Sequence, residues 1–229
     1  RLINQIIKNM IPAKILEKSR LELDFKSNIP TGYGLKSSSA ISSAVALSCA
    51  KAFGKKISDE EILKLGAKTS IQTKVSITGA YDDACACHFG GFNITDNLKM
   101  KLIHRELAPK DLQVIIFLPK SRKRGNLKRL KEFNNAFEKS WEFAEKSDYW
   151  NAAILNGIAT TSILNSEPKL IMNLMDKGAY CATISGNGPS IIAIIDKKHK
   201  TKIMKEFSRL EGKVMTANIN NKKAFVHEL

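Results

Sequence analysis

Three short stretches of this chain combine residue types that handle anions and protons. The first is Pro30-Thr31-Gly32-Tyr33-Gly34-Leu35-Lys36-Ser37-Ser38-Ser39-Ala40. Glycines let a backbone turn through positive φ and approach a ligand closely, and a helix opening at the serines presents unpaired N–H groups at its positive dipole end. Such a loop suits phosphate oxygens, although a serine-capped strand-to-helix turn would also account for it. It is not a Walker A loop, because no G-x-x-x-x-G-K-[S/T] string occurs in the chain. The second stretch runs from Thr78-Gly79-Ala80-Tyr81-Asp82-Asp83-Ala84-Cys85-Ala86 through Gly90-Gly91 to Thr95-Asp96-Asn97. Adjacent carboxylates can accept a proton, or they can be plain helix-start charges favoured by the dipole. The third, Ser185-Gly186-Asn187-Gly188-Pro189-Ser190, reads as a tight turn between two strands.

Other chemistry is poorly supported. Cys85, Cys87 and His88 have the look of metal ligands, but a second ligand pair is missing, since Cys49 and Cys181 stand alone in apolar stretches. All four cysteines are expected to be reduced, small and mostly buried. The net charge of +15, from 37 Lys and Arg against 22 Asp and Glu, favours polyanions. Lysines are spread along the whole chain, however, as on a solvated surface. The one dense cluster is Lys120, Arg122, Lys123, Arg124, Lys128, Arg129 and Lys131, and no aromatic strand pattern for base stacking accompanies it. Nucleic acid is therefore not the expected partner.

The elements that must position these residues follow from periodicity. An amphipathic helix opens the chain at Leu2, Ile3, Ile6, Ile7 and Met10, and Leu21, Leu23 and Phe25 alternate like one face of a strand. Residues 37–53 read as a buried helix. Ser58 and Glu61 form a capping box that starts another, running to about Thr73. QVIIFLP at 113–119 reads as a strand; helical spacing follows over 127–144 and 149–164, and Pro168 opens a shorter helix. The last third reads strand, glycine turn, strand, helix, strand, at 179–185, 191–196, 200–210 and 213–219. Without a regular parallel repeat, the expected class is α+β with antiparallel sheets. At 43% hydrophobic and 26% charged, the composition is that of a globular chain, and no apolar run reaches the roughly 18 residues of a membrane span. No charged leader opens it, so the expected location is the cytoplasm. The chain begins at Arg1, already inside a helical pattern, and reads as starting within a domain.

The first stretch resembles the central ATP-binding motif of the GHMP kinases (galactokinase, homoserine, mevalonate and phosphomevalonate kinases), written P-x-x-x-G-L-G/S-S-S-A/S. Lys36 departs from the usual Gly or Ser, and GLKSSSA is similar to the archaeal shikimate kinase branch. The second stretch resembles the same branch, with Asp82 the better match to the family's G-x-D acid and Asp83 a helix-start charge. The third resembles the C-terminal S-G-x-G-P motif. This resemblance covers essentially the whole chain and implies a two-lobed fold, ribosomal protein S5 domain 2-like over 1–108 and ferredoxin-like over 109–229, with strands before residue 1 missing. It further implies ATP and Mg²⁺ as cofactors and phosphorylation of the 3-hydroxyl of shikimate, with homoserine as the alternative acceptor and nucleic-acid binding on the same scaffold as the alternative of another class. By the same resemblance, Pro30, Thr31, Gly32, Tyr33, Gly34, Leu35, Lys36, Ser37, Ser38 and Ser39 would hold the nucleotide, Ser38 the metal, and Asp82 the acceptor hydroxyl. Gly186 and Gly188 would shape the cleft, and Arg122 or Arg124 would meet the substrate carboxylate. One departure stands out: mevalonate-type relatives carry a metal-binding Glu before the Asp, whereas here Ser70-Ile71-Gln72-Thr73-Lys74 holds no carboxylate.

Overall fold

The computed structural model describes residues 1–76, 78–121, 127–164 and 168–227. The chain divides into two compact units. The first comprises 1–29, 36–107 and 221–229, and the second 30–35 and 108–220.

In the first unit the opening apolar spacing forms α1 (Leu2–Met10), followed by one turn, α2 (Ala13–Leu16). The serine run opens α3 (Ser37–Ala52), and α4 (Asp59–Gln72) begins at the expected capping box. There the Ser58 amide donates to Glu61 Oε2 at 2.8 Å and the Glu61 amide donates back to Ser58 Oγ at 3.2 Å. Ile6, Ile7, Met10 and Ile11 pack on Val45, Ala46 and Ile62, so α1, α3 and α4 share one apolar core. The acidic stretch becomes α5 (Tyr81–Phe89), leading into the antiparallel hairpin β1 (Phe92–Asp96) and β2 (Lys101–Glu106). Leu63 and Ala67 of α4 meet Tyr81, Ala84 and Cys85 of α5 in a second core.

His88 locks α5 in place. It is fully buried. Its Nδ1 lies 2.9 Å from Ser43 Oγ on α3, and its Nε2 lies 3.0 Å from Asp59 Oδ1 at the start of α4. Asp59 also pairs with Lys223 at 2.5 Å, and the Ala224 amide donates to the His88 carbonyl at 2.6 Å, which brings the chain's last described residues onto this unit.

One expected element is absent. Residues 17–28 lie outside helix and strand, with Leu21, Leu23 and Phe25 exposed at 38%, 39% and 45%. Alternation alone cannot make a strand: the backbone groups need a hydrogen-bonded neighbour, and none of the described strands pairs there. Conversely, β1 and β2 are strands that the periodicity did not announce.

In the second unit, β3 (Gln113–Pro119) is followed by a 3₁₀ stretch over Leu127–Phe133, α6 (Asn134–Glu145), α7 (Tyr149–Ile163) and α8 (Pro168–Asp176). Then come β4 (Ala179–Ile184), β5 (Ile191–Ile195), α9 (Lys200–Ser208) and β6 (Gly212–Asn218). The strands form one antiparallel sheet in the order β4-β5-β3-β6. Ile191, Ala193 and Ile195 alternate inward on β5 and join Ile115, Phe117, Ile163, Leu174 and Phe207 in the core. The mixed α+β class with antiparallel sheets is as expected.

Candidate functional site

The start of α3 carries the features of an anion site within the first unit. Its N-cap is Lys36, with no side-chain cap. The first intrahelical bond runs from the Ala40 amide to the Lys36 carbonyl. The amides of Ser37, Ser38 and Ser39 thus have no acceptor among the described residues, and unsatisfied N–H groups at a dipole's positive end favour phosphate or carboxylate.

The two adjacent acids both fall in the first turn of α5 and meet different partners. Asp82 is exposed and bound to the hairpin: its amide donates to Asn97 Oδ1 at 2.9 Å, and Asn97 Nδ2 donates to Asp82 Oδ1 at 2.8 Å. Asp83 points to the start of α3 instead. Its Oδ1 lies 2.6 Å from Lys36 Nζ, with the two side chains 18% and 25% exposed. Burial pushes the Asp83 carboxyl above its ordinary value, Lys36 pulls it down, and the neighbouring Asp82 charge pushes it up again, leaving it raised. One helical turn on, the Cys87 thiol donates to the Lys36 carbonyl at 3.9 Å and is pushed up to about 11, mainly by burial. The sequence held every one of these residues, and charge complementarity was its one sign that Lys36 could meet an acid of α5.

Within the second unit, residues 30–35 lie against the β4–β5 turn. Ser185 Oγ donates to the Gly34 carbonyl at 2.9 Å, and Ser190 Oγ and its amide donate to the Tyr33 carbonyl at 2.7 and 3.2 Å. Gly34 has φ 79°, and a Cβ there would stand 2.2 Å from the Ser185 carbonyl oxygen. Gly186 and Gly188 shape the turn at φ 56° and 69°, where the Gly188 amide donates back to the Ser185 carbonyl at 3.0 Å. Arg122 and Arg124 lie outside the described residues.

For a divalent cation the described residues offer no cluster of three or more His, Cys, Asp or Glu. The donors at hand are hard oxygens, the Ser37, Ser38 and Ser39 hydroxyls and the α5 carboxylates. That set fits Mg²⁺ carried in by nucleotide phosphates, which keeps several waters and takes one or two protein ligands. All four cysteines are free, with Cys49, Cys85 and Cys181 buried and Cys87 half-buried.

Residues 1–91 match the GHMP kinases N terminal domain. The chain is 37% identical over 220 residues to the shikimate kinase of Methanosarcina acetivorans, covering 92% of this chain and 74% of that protein. It is 37% identical over 203 residues to the shikimate kinase of Methanosarcina mazei, covering 86% and 69%. The crystal structure of homoserine kinase from Cytophaga hutchinsonii superposes with a TM-score of 0.67 at 17% identity, over 97% of this chain and 77% of that one.

Proposed function

Because the chain belongs to the GHMP kinases, in the branch of the archaeal shikimate kinases, we propose that this ATP-dependent small-molecule kinase phosphorylates the 3-hydroxyl of shikimate. The observation that carries the acceptor is the likeness to the two Methanosarcina shikimate kinases along most of both chains. Its resemblance to homoserine kinase is one of fold. The four free cysteines agree with action in a reducing cytoplasm.

Phosphoryl transfer asks a protein for alignment and charge neutralisation more than for covalent chemistry. Residues Pro30 to Ser39 would follow the triphosphate, with the Ser37, Ser38 and Ser39 amides donating to its oxygens. Mg²⁺, when bound with the nucleotide, would neutralise phosphate charge, and the Ser38 hydroxyl is our choice of protein ligand. Gly186 and Gly188 would keep the turn beside Gly34 slim. Arg122 or Arg124 would meet the substrate carboxylate by a bidentate contact.

For the acid that orients the acceptor hydroxyl and takes its proton, the motif match favours Asp82. The geometry favours Asp83, because its carboxylate is half-withdrawn from water, faces the start of α3 and has a raised proton affinity, which suits a general base. We assign the role to Asp83 and keep Asp82, held by Asn97, as the alternative.

An ADP-release assay over shikimate, homoserine and mevalonate tests the acceptor. Turnover with shikimate alone is expected. Turnover with homoserine alone would move the enzyme to another branch, and salt-sensitive RNA binding without any turnover would defeat the kinase reading.

A further inference from the structure

Ser42 sits within α3 with its side chain turned inward, 3% exposed, and its hydroxyl oxygen meets no hydrogen-bond partner among the described residues. A serine or threonine in a helix ordinarily turns its hydroxyl onto the carbonyl four residues back, as Thr73 does at the end of α4, donating to the Thr69 carbonyl at 2.8 Å. Ser42 does not. A hydroxyl that is both buried and unmatched costs more than an ordinary hydrogen bond returns, and folded chains seldom keep one in that condition.

Ser42 also lines a cavity of about 10 Å³ between α3, α4 and the start of α5. That is the space of one water-sized sphere. Ser39 on α3 and Ser70 on α4 line it too, and their hydroxyls make no hydrogen bond among the described residues. Ser43, on the same wall, is already engaged with His88 at 2.9 Å. No charged side chain reaches the lining, and at Gly66 the helices come so close that an added Cβ would touch the Ser42 Cβ at 3.6 Å.

We infer that this cavity is a binding site for one water molecule, which accepts a hydrogen bond from Ser42 and joins α3 to α4 through the Ser39 and Ser70 hydroxyls. Three hydroxyls lie within the two to four polar partners that a buried water needs, whereas cavities that stay dry have apolar walls. A cation does not suit a lining without a carboxylate in a chain of net charge +15. With Ser38 the hydroxyl assigned to Mg²⁺, that of Ser39 is left to face inward. The site stands whichever acceptor the kinase uses, because Ser42 and Ser70 have no part in the nucleotide stretch.

High-resolution crystallography of the whole chain, together with thermal unfolding of Ser42→Ala beside Ser48→Ala, tests the site. Ser48 is exposed on the same helix, so its alanine variant carries the same gain in helix propensity without touching the cavity. The crystal structure should show one ordered water within hydrogen-bond distance of Ser42 Oγ and of the Ser39 or Ser70 hydroxyl. Ser42→Ala takes a partner from that water, and its Tm should fall about 2–4 °C below that of Ser48→Ala, the scale of one hydrogen bond in a chain of this length. A cavity without ordered density, with the Ser42 hydroxyl turned onto the Ser38 carbonyl, overturns the inference. So does a Ser42→Ala variant more stable than Ser48→Ala, because removing an unmatched hydroxyl from a dry site relieves a cost.

Discussion

Asp82 and Asp83 have the same chemistry and adjacent positions, yet a rotation of about 100° along α5 sends one to the β1–β2 hairpin and the other to the start of α3. Asp83→Asn keeps the shape of the side chain and removes its charge and basicity. It should lower kcat by about 10²- to 10⁴-fold, the usual range for a general base, with the KM for ATP within a few-fold of normal. Asp82→Asn should lose less than tenfold; steady-state kinetics on the two variants decides between them, and the reverse order would return the role to Asp82. Stability moves differently. The folded Asp83 carboxyl binds its proton more tightly than an unfolded one, so its contribution favours folding below the unfolded pKa and is lost as pH rises through the folded value. At pH 7 the ionised group is therefore a burden, and Asp83→Asn should match or exceed the wild-type Tm while losing activity.

At the scale of elements, two glycines set how closely backbone can approach backbone or side chain. Residues 30–35 rest on the β4–β5 turn through Gly34, and an added methyl group would meet the Ser185 and Gly188 carbonyl oxygens at 2.2 and 2.9 Å. Backbone atoms yield little, so Gly34→Ala should displace the loop. We expect ATP affinity to fall at least about tenfold, equivalent to 1.4 kcal/mol, in a protein that still folds; calorimetric titration giving wild-type affinity would remove this loop from the nucleotide site. In α7, Gly157 faces Thr183 of β4, where a Cβ would lie 2.6 Å from Oγ1 and 2.9 Å from Cβ. Alanine improves helix propensity by about 1 kcal/mol but overpacks the helix–sheet contact at a cost of about 1–3 kcal/mol. Gly157→Ala should therefore be destabilised on balance in urea unfolding, and a stabilised variant would show that α7 and β4 have room to part.

At the scale of the whole molecule, the chain changes unit at 29/30, 35/36, 107/108 and 220/221. Residues 221–229 return to the first unit, where Lys223 pairs with Asp59 and, through it, reaches His88. Burial raises the Asp59 carboxyl, but hydrogen bonds from Lys223 and His88 outweigh it and leave the group below its usual range. A carboxyl lowered by folding contributes stability above its unfolded pKa, about 3.9, and loses it as pH falls through the folded value. Lys223→Met should thus lower Tm at pH 7 by about 1–3 °C, the scale of a partly exposed ion pair, with the gap to wild type closing below about pH 4. A gap that does not narrow as the pH falls below about 4 would mean that Lys223 acts through packing rather than charge.

Local chemistry written in a few adjacent residues could be read from the sequence alone. The capping box at Ser58, the alternation along 191–195, the glycine turn at 186–188 and the serine-led start of α3 each depend on neighbours in the chain, and their backbone geometry follows from residue type. The family was legible for the same reason, since its motifs are short contiguous strings. Pairing across the fold was not legible. The extended segment at 21–25 has the right alternation and no strand beside it among the described residues, while β1 and β2 become strands because each supplies the other's hydrogen bonds. Nor could spacing tell which acid meets Lys36. That is set by how α5 is rotated, and the rotation is fixed by His88 gripping Ser43 and Asp59, residues 45 and 29 positions away in the chain. Periodicity places a side chain on a face of its own helix; only packing decides what that face meets.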